Sequence, residues 1–169
     1  NAVAFQREEE EAIGFDLMTY KYFNVDGRNR AKGIETMVSY AINPNVKLDA
    51  NYTFTDLEKQ SRILNPKHKV NAAVAIQATP SLAFNVAYQF VADRKFEYTS
   101  YPAPTFDPVL NSEVLKDYQL VNANVSYVIL KNRLNIFGAV DNILDSDFVE
   151  TRGYTTRGRN FKLGMNILF

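Results

Sequence analysis

The chain has 169 residues, with 19 acidic and 19 basic side chains, one histidine and no cysteine. That length suits one domain, and the balanced charge gives no reason to expect nucleic-acid binding. The lack of cysteine excludes disulfides and cysteine-based zinc sites. A single histidine, His68, argues against a histidine-based metal site, and we expect no cofactor.

Apolar and polar residues alternate along most of the chain. In 46–55, for instance, every second residue is apolar, and the series is Val46, Leu48, Ala50, Tyr52 and Phe54. Successive side chains of a strand point to opposite faces, so this period predicts a strand with one apolar face. Eight such segments follow one another, at roughly 2–16, 20–42, 46–57, 67–78, 81–93, 117–130, 133–143 and 160–169.

The connections between these segments alternate between short and long. The short ones are 43–45, 79–81 and 131–133, which contain the turn formers Pro and Asn. The long ones are about 58–66, 94–116 and 144–159, with a brief one near 17–19. In an antiparallel meander this order places all short turns at one end and the long loops at the other, as in transmembrane β-barrels.

A soluble β-sandwich also alternates, so the period alone leaves that fold open. Three features favour a membrane barrel. Many segments exceed the usual strand length of about 5–6 residues, aromatic residues lie near the ends of the apolar faces, and the polar faces are rich in Asn, Ser, Thr and Gln. The pattern therefore favours an all-β, transmembrane, antiparallel up-and-down β-barrel over a soluble β-sandwich.

Several short stretches, taken in order, resemble the C-terminal portion of TonB-dependent outer-membrane receptors. They are Asn24 followed by Gly33-Ile34-Glu35, Asn51-Tyr52-Thr53, Pro66 with His68, Tyr118 with Val121-Asn122, Asn142-Ile143-Leu144-Asp145, Gly153-Tyr154, Gly158-Arg159 and Phe169. Cobalamin and siderophore receptors, including those of the Bacteroidota type, are similar at this level. The resemblance implies a 22-stranded barrel filled by a plug domain, with the eight segments here matching the last eight strands.

On this interpretation residues 1–169 are one C-terminal barrel segment, and the plug and earlier strands lie outside the chain. The resemblance implies active uptake of a scarce ligand such as cobalamin or a siderophore. It also implies several partners: outer-membrane lipid and lipopolysaccharide, the rest of the barrel with its plug, the outer-membrane assembly machinery, and TonB through an N-terminal part that the chain lacks. The alternative is a self-contained eight-stranded barrel with a structural or adhesion role.

The last ten residues resemble the C-terminal assembly signal of bacterial outer-membrane proteins, which ends in Phe and has apolar residues at every second position. The residues that carry this resemblance are Phe161, Leu163, Met165, Ile167 and Phe169. That signal is read by the assembly machinery, plausibly by strand addition at an open edge.

Two long connections carry the candidate ligand contacts, because a loop over about 15 residues is usually functional or disordered. The candidates are Tyr98, Tyr101, Phe106, Arg152, Tyr154 and Arg157. A second candidate set is Arg28, Arg30 and Lys32, which alternate along the strand in step with the apolar Ile34 and so share its face. At the outer rim of a barrel these cations would suit binding of lipopolysaccharide phosphates. No Ser-His-acid set or phosphate loop is present, so we do not expect an enzyme.

Overall fold

The computed structural model describes residues 1–16, 20–57, 65–130 and 133–168, and for residues 9, 11, 12, 14–16 and 25–29 it describes the backbone alone. The strands are β1 (Ala2–Asp16), β2 (Lys21–Asn43), β3 (Val46–Leu57), β4 (His68–Thr79), β5 (Leu82–Ala92), β6 (Arg94–Ser100), β7 (Val109–Leu115), β8 (Tyr118–Leu130), β9 (Leu134–Asp141) and β10 (Asn160–Ile167). In the described part of the chain, no helix is long and apolar enough to cross a membrane.

Eight of the strands form one antiparallel sheet in the order β1-β2-β3-β4-β5-β8-β9-β10. β6 and β7 form a separate two-stranded hairpin that is inserted between β5 and β8. The sheet is thus an up-and-down meander, and its strands lie where the alternation places them. The prediction of an all-β, antiparallel fold is confirmed.

Within the described residues the sheet has two open edges, because β1 and β10 are the end strands and no pairing joins them. A closed eight-stranded barrel is therefore not observed in this part of the chain. The match to the last eight strands of a larger barrel stays a prediction.

One face of the sheet is apolar from edge to edge. The cross-strand register joins residues of seven strands in a single row, namely Tyr40, Leu48, Val74, Val86, Ala123, Val140 and Phe161. We call the face that contains this row the outward face. Its side chains are open to the surroundings, and Tyr40 and Phe161 are 60% and 74% exposed. An exposed apolar surface of this extent indicates contact with lipid or another protein.

The sheet has little conventional core. In the described residues the buried apolar side chains are Val91, Ala92, Leu115 and Tyr118, and they lie together near one end of the sheet. Burial of apolar area within the chain cannot be what holds the outward face in place, since that face is not buried. Its stability depends on an apolar environment outside the chain.

The opposite face, which we call the inward face, carries small and amide side chains. At its centre Asn71 donates to Asn51 at 2.8 Å, and Gln89 donates to Asn71 at 3.2 Å, so three neighbouring strands are joined by an amide ladder. The ladder lines a groove of about 310 Å³ whose wall also includes Asp49 and Asn122. This arrangement suits a hydrated interior, because the three amides of the ladder bond to one another beside an open groove.

Two glycines on the inward face make room for aromatic rings of the neighbouring strand. Gly33 pairs with Phe5, and Gly164 pairs with Phe137. A Cβ at either glycine would lie within 2.6 Å of the partner's ring. The rings therefore lie flat across the neighbouring strand, which keeps them out of the interior.

The two ends of the sheet differ. The short-turn end carries the connections 43–45, 79–81 and 131–133, of which 131 and 132 lie outside the described residues. The long-loop end carries the longer connections. There β2 pairs with β3 only from Ala31 onward, so residues 21–30 and their β1 partners extend beyond β3, by about 33 Å at the usual rise per residue.

Candidate functional site at the long-loop end

The segment 94–116, which the sequence placed in a loop, contains the β6–β7 hairpin. Seven residue pairs join its strands, from Arg94 with Leu115 to Ser100 with Val109. The connection between the strands holds Pro102, Pro104 and Pro108, which cannot donate to a ladder and so end the pairing. The prediction of a loop was wrong here, and the hairpin holds its side chains in fixed positions.

Arg94 anchors this hairpin to the rest of the long-loop end. Its side chain is almost fully buried, at 3% exposure. Nη1 donates to the carbonyl of Val149 and Nη2 to the carbonyl of Lys116, both at 2.8 Å. The guanidinium also lies 4.7 Å from the ring centre of Tyr118. One buried cation therefore joins the hairpin, the start of β8 and the 142–159 connection.

Further contacts join the hairpin and the start of β8 to the 142–159 connection. Tyr118 packs on Phe148 with ring centres 4.5 Å apart. The guanidinium of Arg152 lies 3.8 Å from the ring centre of Tyr98, and its Nε is 3.3 Å from the Glu113 carboxylate. Through these contacts the hairpin and the 142–159 connection, which are distant in sequence, pack together as one unit.

The 142–159 connection is ordered by hydrogen bonds from side chains to backbone. Asn142 has a left-handed φ of 51° and is 4% exposed. Its Oδ1 accepts from the amide of Ser146 at 2.9 Å, its Nδ2 donates to the carbonyl of Ser146 at 3.0 Å, and its own amide donates to Oδ1 of Asn122 at 2.8 Å. Asn tolerates this backbone conformation better than most residues, so Asn142 sets the turn that ends β9.

A second set of bonds joins this turn to the start of β10. Oδ1 of Asp145 accepts from the amide of Arg159 at 2.8 Å, and Nε of Arg159 donates to the carbonyl of Ile143 at 2.9 Å. A Cβ at Gly158 would lie 2.9 Å from the same Asp145 oxygen. The stretches 142–145 and 158–159, which carried part of the family resemblance, thus contact each other directly.

The structure brings two of the six candidate ligand residues together, Tyr98 and Arg152. Tyr101 and Phe106 lie at the tip of the hairpin, and both are more than 60% exposed. Tyr154 is 73% exposed, and Arg157 is exposed on the same connection as Arg152. Among the described residues no hydrogen bond, ion pair or ring contact links these four to the Tyr98–Arg152 pair.

The sequence reasoning missed three residues that shape this region: Arg94, Glu113 and Phe148. Their contacts cross up to 55 residues of sequence, and no local pattern signals them. The hairpin itself had a weak signal, since Phe96 and Tyr98 alternate with Lys95 and Glu97 before the proline-rich connection.

Two of the three candidate lipopolysaccharide residues, Arg30 and Lys32, lie on the outward face near the long-loop end. Arg30 contacts Glu8 at 3.3 Å, and Lys32 contacts Asp56 at 3.6 Å. Arg28 pairs with Glu10 in the backbone register, but its side chain lies outside the described residues. The candidate assembly signal also lies on the outward face, where Phe161, Leu163, Met165 and Ile167 are exposed; Phe169 lies outside the described residues.

The described residues contain no group of three or more His, Asp or Glu side chains that would hold a metal ion. Of the two carboxylates that flank the end of β9, Asp141 pairs with Lys162 and Asp145 accepts from Arg159. Both are engaged in holding strand ends.

A single antiparallel sheet with a lipid-like outward face, a polar inward face and all its long connections at one end defines the wall of an outer-membrane β-barrel. Residues 1–143 match the family model described as TonB dependent receptor-like, beta-barrel. The chain belongs to this family of bacterial outer-membrane receptors.

The vitamin B12 transporter BtuB of Vibrio cholerae serotype O1 is 26% identical over 162 residues, a match that covers 93% of this chain and 25% of that protein. Among solved structures, the pyoverdine receptor FpvA of Pseudomonas aeruginosa PAO1 superposes with a TM-score of 0.78 at 18% identity, over 99% of this chain and 27% of FpvA. The ferric-catecholate import receptor Fiu of E. coli K12 gives 0.70 at 19% identity, over 99% and 25%.

The chain thus spans about a quarter of the length of these relatives. The matched proteins are transporters and receptors of the outer membrane, which confirms the predicted location and the prediction that the chain is no enzyme.

Proposed function

We propose that the chain forms the last eight wall strands of a 22-stranded TonB-dependent transporter. The observation that carries this proposal is the open eight-stranded sheet, which has one lipid-like face and one polar face in a chain of this family. A sheet with two open edges is complete only when other strands pair with β1 and β10, and a larger barrel supplies such strands.

The proposed placement follows from the two ends. The outward face meets lipid, the short-turn end faces the periplasm and the long-loop end faces outside the cell. The inward face, with its amide ladder from Asn51 to Gln89, then faces the lumen and the plug domain. Movement of the plug, driven through TonB, would admit the ligand.

We assign ligand contact to the unit at the long-loop end. Arg152 stacks on Tyr98 and pairs with Glu113, and Tyr101, Phe106, Tyr154 and Arg157 are exposed groups on the same two connections. Aromatic faces and guanidinium groups suit a bulky ligand with ring systems and anionic groups. Cobalamin or a ferric siderophore is the proposed class, since the relatives include transporters of both kinds.

The proposed assembly signal is the alternating series in β10. Its four described members, Phe161, Leu163, Met165 and Ile167, share the outward face, and the other edge of β10 has no strand beside it among the described residues. An unpaired edge with an apolar face is what strand addition by an assembly factor needs.

The direct test is an uptake assay with the full-length protein in a Gram-negative host that lacks its own cobalamin and siderophore receptors. We expect uptake of labelled cobalamin or of one ferric siderophore, and we expect it to stop when TonB is deleted. Uptake that continues without TonB, or a protein that reaches the outer membrane and binds neither ligand class, would contradict the proposed function.

Arg152→Ala tests the assigned contact. The Arg152–Glu113 pair is about half exposed, so its loss should cost at most about 1 kcal/mol of stability. Ligand affinity should fall roughly tenfold or more, as expected for the loss of one charged hydrogen bond worth about 1.5 kcal/mol. Arg133→Ala is the matched control, since Arg133 lies at the short-turn end. Equal affinity in both variants would remove Arg152 from the ligand site.

A further inference from the structure

Near the long-loop end, the outward face changes from apolar to charged between one row of cross-strand pairs and the next. Ile34 pairs with Phe54, and Phe54 pairs with His68, in a row that is still apolar or aromatic. The next outward pair towards the long-loop end is Lys32 with Asp56. Such a boundary marks the depth at which acyl chains give way to headgroups.

A groove of about 210 Å³ lies directly above this boundary and is lined by Gln6, Arg30, Lys32 and Asp56. Arg30 and Lys32 are two residues apart on one strand face, so their Cα atoms lie about 6.6 Å apart. The lysine side chain is 68% exposed and the arginine side chain 49%. Both cationic heads are therefore accessible from the surrounding membrane.

The groove has an excess of positive charge. Asp56 contacts Lys32 at 3.6 Å and Lys67 at 3.7 Å, so two lysines share one carboxylate. Glu8 balances Arg30. Among the described side chains, three cations thus meet two carboxylates, which leaves an excess of one positive charge for an anionic ligand.

An aromatic group lies in the outward row next to the groove, on the side towards the short-turn end. The hydroxyl of Tyr52 lies 2.8 Å from Nδ1 of His68, and the two rings stack. Phe54 packs on His68 with ring centres 5.3 Å apart, and the ammonium of Lys67 lies 5.7 Å from the centre of the Phe54 ring. Rings with a polar tip are typical of the membrane interface, where one side is apolar and the other is wet.

We propose that this groove binds a lipid A phosphate of lipopolysaccharide. Arg30 and Lys32 would hold the phosphate, Lys67 would flank it, and the acyl chains would lie on the apolar surface that begins at Ile34 and Phe54. The inference rests on the proposed membrane placement, which puts the long-loop end in the outer leaflet. A free phosphate would leave the apolar surface beside the cations uncovered. A phosphorylated lipid would contact the cations with its phosphate and the apolar surface with its acyl chains.

The test compares variants of the full-length protein, extracted from outer membranes in mild detergent, with bound lipid A measured by native mass spectrometry. The variant R30Q/K32Q removes two cations from the groove. At about fivefold per cation near a membrane surface, the bound lipopolysaccharide should fall roughly 25-fold. K47Q/K69Q is the control, because it removes two cations from the inward face.

A third variant changes the charge in the other direction. D56N frees both lysines from their shared carboxylate and should raise the bound lipopolysaccharide. Equal lipid binding in all three variants and the wild type would overturn the proposal. So would displacement of lipopolysaccharide by equal concentrations of phosphatidylglycerol or inorganic phosphate, since the groove would then be unselective. A wild type that is absent from the outer-membrane fraction would contradict the membrane placement itself, and both proposals with it.

Discussion

Residues 94–115 and residues 142–159 lie side by side at the long-loop end, but they are held in different ways. The first segment is a hairpin with a seven-residue ladder. The second, all of which the structure describes, contains no strand and is held by side chains that bond to backbone, chiefly those of Asn142, Asp145 and Arg159. A backbone ladder forms without any particular side chain. A segment held by bonds from side chains to backbone needs specific residues.

This difference separates structural residues from candidate ligand contacts. In 142–159 the polar groups of Asn142, Asp145 and Arg159 are engaged in internal bonds. In the hairpin the ladder leaves side chains free, and Tyr101 and Phe106 are exposed at its tip. Ligand contact is therefore expected at the tip of the hairpin and at exposed residues such as Tyr154, and not at Asn142, Asp145 or Arg159.

Arg94→Met should have the largest effect, because it breaks the link between the two segments. Methionine keeps most of the apolar stem but donates to neither the Val149 nor the Lys116 carbonyl. The loss of two charged hydrogen bonds should cost about 3 kcal/mol. That corresponds to a roughly 150-fold rise in the equilibrium constant for local opening of the two segments. Limited proteolysis of the full-length protein should show faster cleavage in both segments.

The control for this experiment is Arg157→Met, since Arg157 is exposed on the same connection. Its cleavage rate should match that of the wild type. If Arg94→Met were cleaved no faster than Arg157→Met, the two segments would not depend on the buried guanidinium.

Asn142→Ala should have the next largest effect and should act on one segment only. Alanine loses both side-chain bonds to Ser146 and must adopt a left-handed φ of 51°. Together these cost about 2–3 kcal/mol. Hydrogen exchange should speed up at the Ser146 amide and stay unchanged in β6 and β7.

Two further variants separate the causes in Asn142→Ala. Asn142→Gly accepts the backbone conformation but lacks the amide, so it should recover part of the loss. Asn124→Ala removes an exposed amide from the inward face and should change little. Complete recovery in the glycine variant would mean that the bonds to Ser146 do not matter.

The sheet was predictable from the sequence because one physical rule governs all its strands. Each strand has one face towards an apolar phase, and a period of two then appears in every segment. The hairpin was not predictable in this way. Arg94, Phe96 and Tyr98 share a face, and this mixture of charge and aromatic character follows from contacts with residues about 50 positions away.

The candidate sites show the same limit. The sequence placed Arg30 and Lys32 near the rim by their parity with Ile34, but their partners depend on register. Glu8 and Asp56 meet them because β1, β2 and β3 pair as they do, and Lys67, directly before β4, contacts the Asp56 carboxylate as well. Parity along one strand is visible in a sequence, whereas register between strands is set by the whole sheet.

Gly158→Ala should have the smallest effect and tests how tightly the 142–159 segment is closed. The new Cβ would lie 2.9 Å from the Asp145 oxygen that accepts from the Arg159 amide. The carboxylate can move aside only if that bond lengthens, which should cost about 1 kcal/mol. We expect a correspondingly small fall in the free energy of unfolding, measured by denaturant titration of the full-length protein in detergent.

Gly138→Ala is the matched control for Gly158→Ala, because the nearest atom to its new Cβ would be 3.7 Å away, at ordinary contact distance. Its stability should stay within about 0.5 kcal/mol of the wild type. If Gly158→Ala were equally mild, the carboxylate of Asp145 would have room to move without losing its bond. The 142–159 segment would then tolerate side-chain shifts as the hairpin does, and the contrast between the two segments would rest on Asn142 alone.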